Sequence, residues 1–373
     1  MFGYNIHYRV STHALRVLNV KNYREGVQMI GERRSDILGL IIDYYIKTGE
    51  PLGSKNLCEM LPYSVSSATI RNEMAFLTNL GLLEQRHTSG GRVPTNKGYR
   101  YYVDNIISPV PMSAFERQQI DEVLSVNASD PERLLSDASR LLSELTGCAA
   151  FYSTVRDPLD CVQGVELIPA GNSKAMLVML SVGGKIKSSV CRLSCPIDSE
   201  FKKAFYEITN LFFIGVPLGD INLSLIQSTA PMLGERVFDM LPVLSSLCSL
   251  CREASEGQLV ITGETKLLSQ SELGNDAYQI LVLLARKKKL EALLNDFASF
   301  KADTALMIGR ENPVYELKGT TTAIGRFTYN EVQTATLGII GSTRIDYKTI
   351  LPRIDYIMKT VSELLKEGGV RYE

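Results

Sequence analysis

The chain has 373 residues and a formal net charge of −1; 45% of its residues are hydrophobic and 22% are charged. This length allows two or three domains, and the balanced charge means that any attraction to nucleic acid must be local. No run approaches the roughly 20 apolar residues that span a bilayer, and the N-terminus lacks the apolar centre of a signal peptide. We therefore expect a cytoplasmic protein without a membrane-spanning segment.

Histidine and cysteine usage argues against a catalytic or metal-binding protein. The three histidines are His7, His13 and His87, so the body of the chain has none for a catalytic triad or a His-rich metal site. Seven cysteines suit a reducing compartment, where thiols stay free. Two pairs are closely spaced, Cys191 with Cys195 and Cys248 with Cys251. Together they could bind zinc, but their strand-like and apolar helical contexts favour buried thiols, and we predict no metal, cofactor or catalytic residue.

Residues 1–30 carry four cations and one acid. We interpret Met29 as the true start and the stretch before it as a misassigned extension. A basic arm that follows DNA is the alternative interpretation.

A first helix is predicted at residues 36–48, with one apolar face made of Ile37, Leu40, Ile41, Tyr44 and Tyr45. Gly49 ends this helix, and Ser54 is placed to cap a short second helix at 55–61. A third helix has a single apolar stripe of Ile70, Met74, Leu77 and Leu80. Its opposite face carries small hydrogen-bonding groups, which a DNA major groove accepts.

A short β-ribbon is predicted after the third helix. Gly81 can end that helix in the left-handed conformation, and residues 82–86 and 92–94 are typical of two strands joined by a tight turn at 89–91. Between Gln85 and Val103 the chain has four cations and no acid; the cations are Arg86, Arg92, Lys97 and Arg100. A ribbon with this charge suits phosphates or a minor groove.

Helix and ribbon together predict a winged helix-turn-helix that binds DNA. The predicted contacts of the third helix are Ser66 and Ser67 at its first turn, with Thr69, Arg71 and Asn72. Arg can bind guanine and Asn adenine in bidentate fashion. The predicted contacts to phosphates or the minor groove are Arg86, Arg92 and Lys97. The alternative is a winged helix that binds protein, because residues 31–106 carry a net charge of only +1.

Four runs, at residues 48–54, 65–74, 80–85 and 92–104, carry a resemblance. They make residues 31–107 similar to the HrcA family, the heat-inducible transcription repressors of bacteria. Two departures are Gly90, where the family usually has Ala, and Phe76, an outward position where an acid is usual. The resemblance implies a repressor of chaperone operons that binds an inverted-repeat operator. It also implies a chaperonin partner that keeps the repressor folded and is occupied by other proteins on heating.

The body of the chain follows a linker at residues 109–111. Predicted helices lie at 115–124, 131–145, 201–213 and 350–365, and predicted strands at 149–155, 161–169, 175–182, 185–193, 305–308, 319–329 and 336–340. Strands on both sides of a leucine-rich helical block at 224–299 indicate an α+β domain interrupted by an insertion. The resemblance, which includes runs at 308–313 and 338–347, implies a GAF-like domain split by a dimerising insertion.

The expected fold class is therefore multidomain α+β. Its parts are an N-terminal extension at 1–30, a winged helix at 31–107, a GAF-like domain at 108–223 and 300–373, and a mainly helical dimerisation domain at 224–299.

Three further motifs in the body have plain structural interpretations. Residues 183–188 lack the G-x₄-G-K-[ST] pattern of a phosphate loop and are typical of a hairpin. The four cations at 286–289 indicate a solvated helix face. Arg344 and Asp346, two apart at a strand end, are interpreted as an ion pair.

We predict a dimeric repressor whose two recognition helices bind two symmetric half-sites of double-stranded DNA. One alternative is a metabolite-responsive regulator that senses a ligand through the GAF-like domain. A thiol-dependent enzyme is another, but outside the wing no histidine is available as a base beside any cysteine.

Overall fold

The structure is a computed structural model that describes residues 30–86, 91–154, 158–171, 173–286, 304–329 and 333–367. It divides into two compact units. Unit 1 comprises Met1–Ser153, Leu259–Phe327 and Ala335–Gly368, and unit 2 comprises Thr154–Gln258, Thr328–Thr334 and Gly369–Glu373. The predicted N-terminal extension lies outside the described residues except for Ile30.

The N-terminal part of unit 1 is a winged helix-turn-helix, as predicted. Its elements are α1 (Glu32–Thr48), α2 (Ser54–Met60), α3 (Ser67–Asn79), β1 (Leu83–Glu84), β2 (Val93–Pro94) and α4 (Asn96–Asn105). Gly81 has a φ angle of 72°, which confirms the predicted left-handed helix end, and Gly49, which was predicted to end α1, has a φ angle of 76°. The predicted cap of α2 is wrong: Gly53 is the N-cap residue and Ser54 is the first residue of the helix.

The core of this domain is built from the predicted apolar faces. Ile37, Ile41, Ile70 and Leu77 have no exposed side-chain surface. The ribbon is shorter than predicted because β1 and β2 contribute two residues each, and Leu52 extends it by pairing with Arg92. The predictions for His87 and Gly90 at the wing tip lie outside the described residues.

The body contains further helices and strands, numbered in chain order. They are α5 (Ala114–Ser125), α6 (Pro131–Thr146), β3 (Ala149–Thr154), β4 (Val162–Pro169), β5 (Lys174–Ser181), β6 (Ile186–Arg192), α7 (Ser199–Phe212), α8 (Leu223–Leu233), α9 (Val237–Ser255), β7 (Leu259–Thr262), α10 (Lys266–Ser269), α11 (Asp276–Ala285), β8 (Thr304–Ile308), β9 (Thr320–Tyr329), β10 (Gln333–Ser342) and α12 (Tyr347–Glu367). Each strand and helix predicted for the body is present within a few residues of its predicted limits. Strand β7 was not predicted: it lies within the helical block predicted at 224–299, and the hydrophobic periodicity of the sequence did not reveal it.

A five-stranded sheet with the order β7-β3-β10-β9-β8 forms the centre of the body in unit 1. Strand β7 pairs antiparallel with β3, with Phe151 opposite Ile261. Helix α11 buries Ile280 and Leu283 in a core that also contains Phe151 and Met307. The predicted limits of the insertion, 224–299, therefore do not coincide with unit 2, because residues 259–285 complete the sheet and core of unit 1. The GAF-like character of this part stays a prediction.

Unit 2 is an antiparallel sheet with the order β4-β5-β6, together with α7, α8 and α9. Unit 2 is thus a mixed α+β unit, and it shares only residues 224–258 with the mainly helical dimerisation domain predicted at 224–299, which stays a prediction. The hairpin predicted at Gly183 and Gly184 is present between β5 and β6. Gly183 donates its N–H to the buried Asp160 carboxylate at 2.8 Å, so a carboxylate occupies the turn that faintly resembles a phosphate loop.

The closely spaced cysteines lie in the core of unit 2. Cys191, Cys248 and Cys251 are buried in this core, and Cys195 is partly buried and packs against the same core. Burial raises the pKa of Cys248 to about 11 and that of Cys251 to about 12, so both thiols are protonated at neutral pH. Among the described residues, no group of three or more potential ligands could hold a metal ion, and no helix is long and apolar enough to cross a membrane.

Candidate nucleic-acid interface

The back of α3 is fixed by a polar cluster as well as by its apolar stripe. Glu73 is only 6% exposed and accepts hydrogen bonds from Arg33 and from Arg34 Nε, the latter at 2.6 Å. The Arg34 guanidinium also lies 3.7 Å from the centre of the Phe76 ring. Phe76 is thus half-buried, not simply outward. The hydrogen bond from Arg34 is the main cause that lowers the pKa of Glu73, so this carboxylate is ionised and ties α3 to α1.

The front of α3 presents Arg71 and Asn72. Both side chains are exposed, and among the described residues neither has a side-chain hydrogen bond or an ion pair. They lie in the first two turns of the helix, which is where a recognition helix carries its base-contacting groups. These two residues are therefore the most available of the predicted base contacts.

The predicted hydroxyl contacts are partly engaged within the protein. Ser66 is the N-cap of α3: its Oγ accepts the N–H of Thr69 at 3.1 Å and lies 2.8 Å from the Thr69 hydroxyl. Ser67 Oγ lies 3.1 Å from Ser54 Oγ at the start of α2. A hydroxyl has one donor and two acceptor sites, so each of these groups retains some capacity for a ligand. Within the protein, these hydroxyls fix the N-terminal end of α3.

The predicted phosphate contacts differ in the exposure of their side chains and in the partners that these side chains have within the protein. Arg86 is 58% exposed and lies 3.8 Å from Glu84. Lys97 is exposed and donates to the carbonyl of Leu80 at 3.0 Å, at the C-terminal end of α3. Arg92 is half-buried, and its Nε donates to the Thr78 hydroxyl at 3.2 Å. Arg86 and Lys97 are thus accessible, whereas Arg92 mainly joins the ribbon to α3.

Arg100, the fourth cation of the predicted basic segment, is absent from this surface. Its side chain is 16% exposed. Its Nε donates to Glu311 at 2.8 Å, and its Nη2 donates to the carbonyl of Leu306 at 2.6 Å. The local charge available to DNA is therefore smaller than the +4 counted from the sequence.

Two glycines permit the close packing behind the ribbon. A Cβ at Gly98 would lie 2.1 Å from the carbonyl oxygen of Leu82, and a Cβ at Gly91 would lie 2.4 Å from the carbonyl of Leu52. Only glycine fits at such distances. The ribbon and α4 can therefore pack directly on the turns that precede them.

This arrangement is suited to binding DNA, and comparison with known families agrees. Residues 29–105 match the family model described as "Winged helix-turn-helix transcription repressor, HrcA DNA-binding". Residues 132–351 match the model described as "HrcA protein C terminal domain". The chain belongs to the HrcA family. It is a transcription repressor, a class of protein that acts by binding DNA rather than by catalysing a reaction.

Individual relatives cover nearly the whole chain. The heat-inducible transcription repressor HrcA of Acetivibrio thermocellus is 31% identical over 90% of this chain and 96% of its own length. The protein of the same name from Lachnoclostridium phytofermentans is 29% identical over 92% of this chain and 99% of its own. A crystal structure of a hypothetical protein, 22% identical, covers 91% of this chain and all of its own with a TM-score of 0.68, which shows the fold alone.

The residues that join the winged helix to the body of unit 1 could not be predicted from local sequence patterns. Arg344 does not form the predicted ion pair with Asp346: it pairs with Glu272 and donates to the carbonyl of Ile46 at 2.9 Å. Asp346 instead accepts the N–H of Thr349 at the start of α12. The two body runs similar to the HrcA family contain Arg344 and Glu311, so the resemblance was the available signal. Of the predicted cationic run at 286–289, residues 287–289 lie outside the described part.

Proposed function

We propose that this protein represses chaperone operons in the cytoplasm by binding an inverted-repeat operator as a dimer, and that heat relieves the repression. One observation carries the proposal: α3 has a fixed back and an exposed front of Arg71 and Asn72, whose side chains have no partner in the part of the chain that the structure describes. The relatives' name, heat-inducible transcription repressor, supports the response to heat. A stability margin of about 5–15 kcal/mol is small enough for modest heating to change the folded fraction.

Each predicted contact then has a distinct role. Arg71 and Asn72 bind base edges in the major groove, and Arg86 and Lys97 bind phosphates beside it. Ser66, Ser67 and Thr69 fix the N-terminal turn of α3 and offer their remaining hydrogen-bonding capacity to DNA. Arg92 sets the position of the ribbon relative to α3.

Substitution of Asn72 tests the base contacts. We expect Asn72→Ala to weaken binding to an operator, selected from a random duplex pool by the unaltered protein, by about 1–3 kcal/mol, with little effect on random DNA. Asn79→Ala is the matched control, because Asn79 is also exposed on α3 but lies in its last turn. Equal losses on operator and random DNA for Asn72→Ala would contradict the base-contact role.

The outer face of the unit 2 sheet supports dimerisation. Ile186 and Val190 on β6 are 67% and 66% exposed, and Ile168 on β4 is 41% exposed. They are aligned across β5, where Met176 lies opposite both Ile168 and Val190. An antiparallel sheet that faces water normally carries polar residues on that side. We therefore propose that a second copy of the chain covers this apolar face.

Charge substitutions on this face test the dimer. We expect the double variant Ile186→Glu with Val190→Glu to sediment as a monomer and to bind the operator at least about 100-fold more weakly, because the second half-site no longer gains effective concentration. Phe238→Glu is the control: Phe238 is a 78% exposed apolar residue of the same unit, on α9. If only Phe238→Glu yields a monomer, the subunits meet through the helices instead.

The chaperonin is the proposed partner that returns heat-unfolded repressor to its DNA-binding form. The measurement is operator binding after brief heating and cooling, with and without chaperonin and ATP. We expect recovery only with the chaperonin, since the unfolded chain otherwise aggregates. Equal spontaneous recovery would argue against this partner.

A further inference from the structure

The winged helix is attached to the body of unit 1 by three polar contacts, which we call the clamp. They are Arg100 with Glu311, Arg344 with the end of α1, and Lys348 with Asp43. None of these residues is a predicted DNA contact. The clamp joins two helices of the winged helix, α1 and α4, to two segments of the body, one at Glu311 and one at residues 344–348.

The first contact is a buried ion pair. The side chain of Glu311 is 9% exposed and that of Arg100 is 16% exposed. Glu311 also accepts the backbone N–H of Ile308 at 2.8 Å, which fixes the carboxylate at the end of β8. Beside it, a Cβ on Gly309 would lie 2.0 Å from the side chain of Asn96, the first residue of α4. Helix α4 therefore packs directly on this turn.

The second contact is at the C-terminal end of α1. Arg344 Nη1 donates to the carbonyl of Ile46 at 2.9 Å and lies 3.4 Å from that of Tyr45. The last carbonyls of a helix lack intrahelical partners and carry partial negative charge. Glu272 binds the same guanidinium from the body side. Both Arg344 and Glu272 are 19% exposed, so this contact is largely shielded from solvent.

The third contact surrounds Asp43 on α1. Its carboxylate accepts a hydrogen bond from Lys348 Nζ of α12 at 2.6 Å. It also accepts a hydrogen bond from the hydroxyl of Tyr102 on α4. The backbone carbonyl of Lys348 accepts the N–H of Val110 at 2.9 Å, so the linker that leaves the winged helix is attached at the same place. The linker therefore gives the domain little freedom.

We infer that the clamp narrows the range of half-site spacings that the repressor accepts, because it fixes α3 relative to the body of unit 1. The inference rests on the proposed binding of an inverted repeat by a dimer. A winged helix on a free linker reaches half-sites over a wide range of spacings, whereas one that is held on the body of unit 1 reaches a narrower range. Arg100, Arg344 and Lys348 are thus positioning residues.

The test compares spacing profiles of the full-length protein on selected operator duplexes. The duplexes carry the selected spacing, the same half-sites with about 5 bp inserted, which is half a helical turn, or one half-site only. The variants are the pair Glu311→Gln with Arg344→Gln, and Lys348→Met, which is a milder change because the Lys348 side chain is 32% exposed. Ile357→Val, a conservative change at a fully buried site in α12, is the control for lost stability.

We expect the unaltered protein and Ile357→Val to lose at least about 100-fold in affinity on the 5 bp insertion. The Glu311→Gln/Arg344→Gln pair is expected to bind the selected spacing about 10-fold more weakly than the unaltered protein does. Its affinity for the duplex with the 5 bp insertion is expected to be less than about 3-fold below its own affinity for the selected spacing. Lys348→Met should lie between them, and single half-site affinity should stay within about 2-fold throughout. Spacing profiles that match the unaltered protein in both clamp variants would overturn the inference and leave the dimeric repressor standing. A flat profile for the unaltered protein would overturn both.

Discussion

The protonation of Glu73 affects the candidate interface directly, because this carboxylate ties α3 to α1. Its ordinary pKa of 4.5 is lowered chiefly by the hydrogen bond from Arg34, with a further bond from Arg33. A carboxyl whose folded pKa is lowered adds stability above its unfolded pKa, and this stability is lost as the pH falls through the folded value. The attachment of α3 to α1 is therefore expected to be sensitive to acid.

We predict that Glu73→Gln lowers the free energy of unfolding by about 1–3 kcal/mol at pH 7, and that the difference shrinks as the pH falls below 4.5. Urea unfolding of both proteins at pH 7 and at pH 4 measures this. Glu84→Gln, at a residue whose side chain is 53% exposed, is the control and should change little. A difference that is the same at both pH values would show that the charge on Glu73 is not what stabilises α3.

Local periodicity was enough to predict single residues whose environment is local. The exposed front of Arg71 and Asn72 follows from the buried stripe of Ile70 and Leu77 on the same helix. The burial of Arg100 does not follow from its neighbours, because its partner Glu311 is 211 residues away. From the sequence alone, a cation in a basic run is expected to be exposed, because the distant acid that pairs with it cannot be recognised.

Whole helices and strands were predictable because they too follow from local periodicity. Their grouping into the two units was not predictable. The strands β4, β5 and β6 each appear close to their predicted limits. Strand β7 has only four residues and lies in a leucine-rich context, so it was absorbed into the helical block at 224–299. Its pairing with β3 joins residues more than 100 positions apart, and such long-range pairing assigned 259–285 to unit 1.

At the level of elements, Gly98 determines how closely α4 packs on the turn after α3. In an exposed helix, Gly→Ala stabilises by about 0.5–1 kcal/mol. Here a Cβ would lie 2.1 Å from the Leu82 carbonyl oxygen, which belongs to the backbone and cannot rotate away. We predict the opposite sign, a loss of about 1–3 kcal/mol from overpacking. Thermal unfolding of Gly98→Ala beside Gly164→Ala, where nothing lies within 4 Å, measures it; a stabilised Gly98→Ala would contradict the packing argument.

Because the whole molecule has no net positive charge, its attraction to DNA must come from the individual cations of the candidate interface. With a formal charge of −1, the proposed binding to phosphates depends on local groups such as Arg86 and Lys97. Each phosphate neutralised contributes about −0.9 to the slope of log affinity against log salt on duplex DNA. A dimer contributes every such residue twice.

Lys97→Met therefore tests the phosphate contact and the dimer in one measurement. We predict that the salt slope on the operator becomes less steep by about 1.8, because two phosphate contacts are lost at once. Operator titrations at several salt concentrations give the slope, and Lys359→Met, at a 72% exposed lysine of α12, should leave it unchanged. A change of about 0.9 would mean that one subunit alone binds DNA. An unchanged slope would mean that Lys97 only caps the end of α3 through the Leu80 carbonyl.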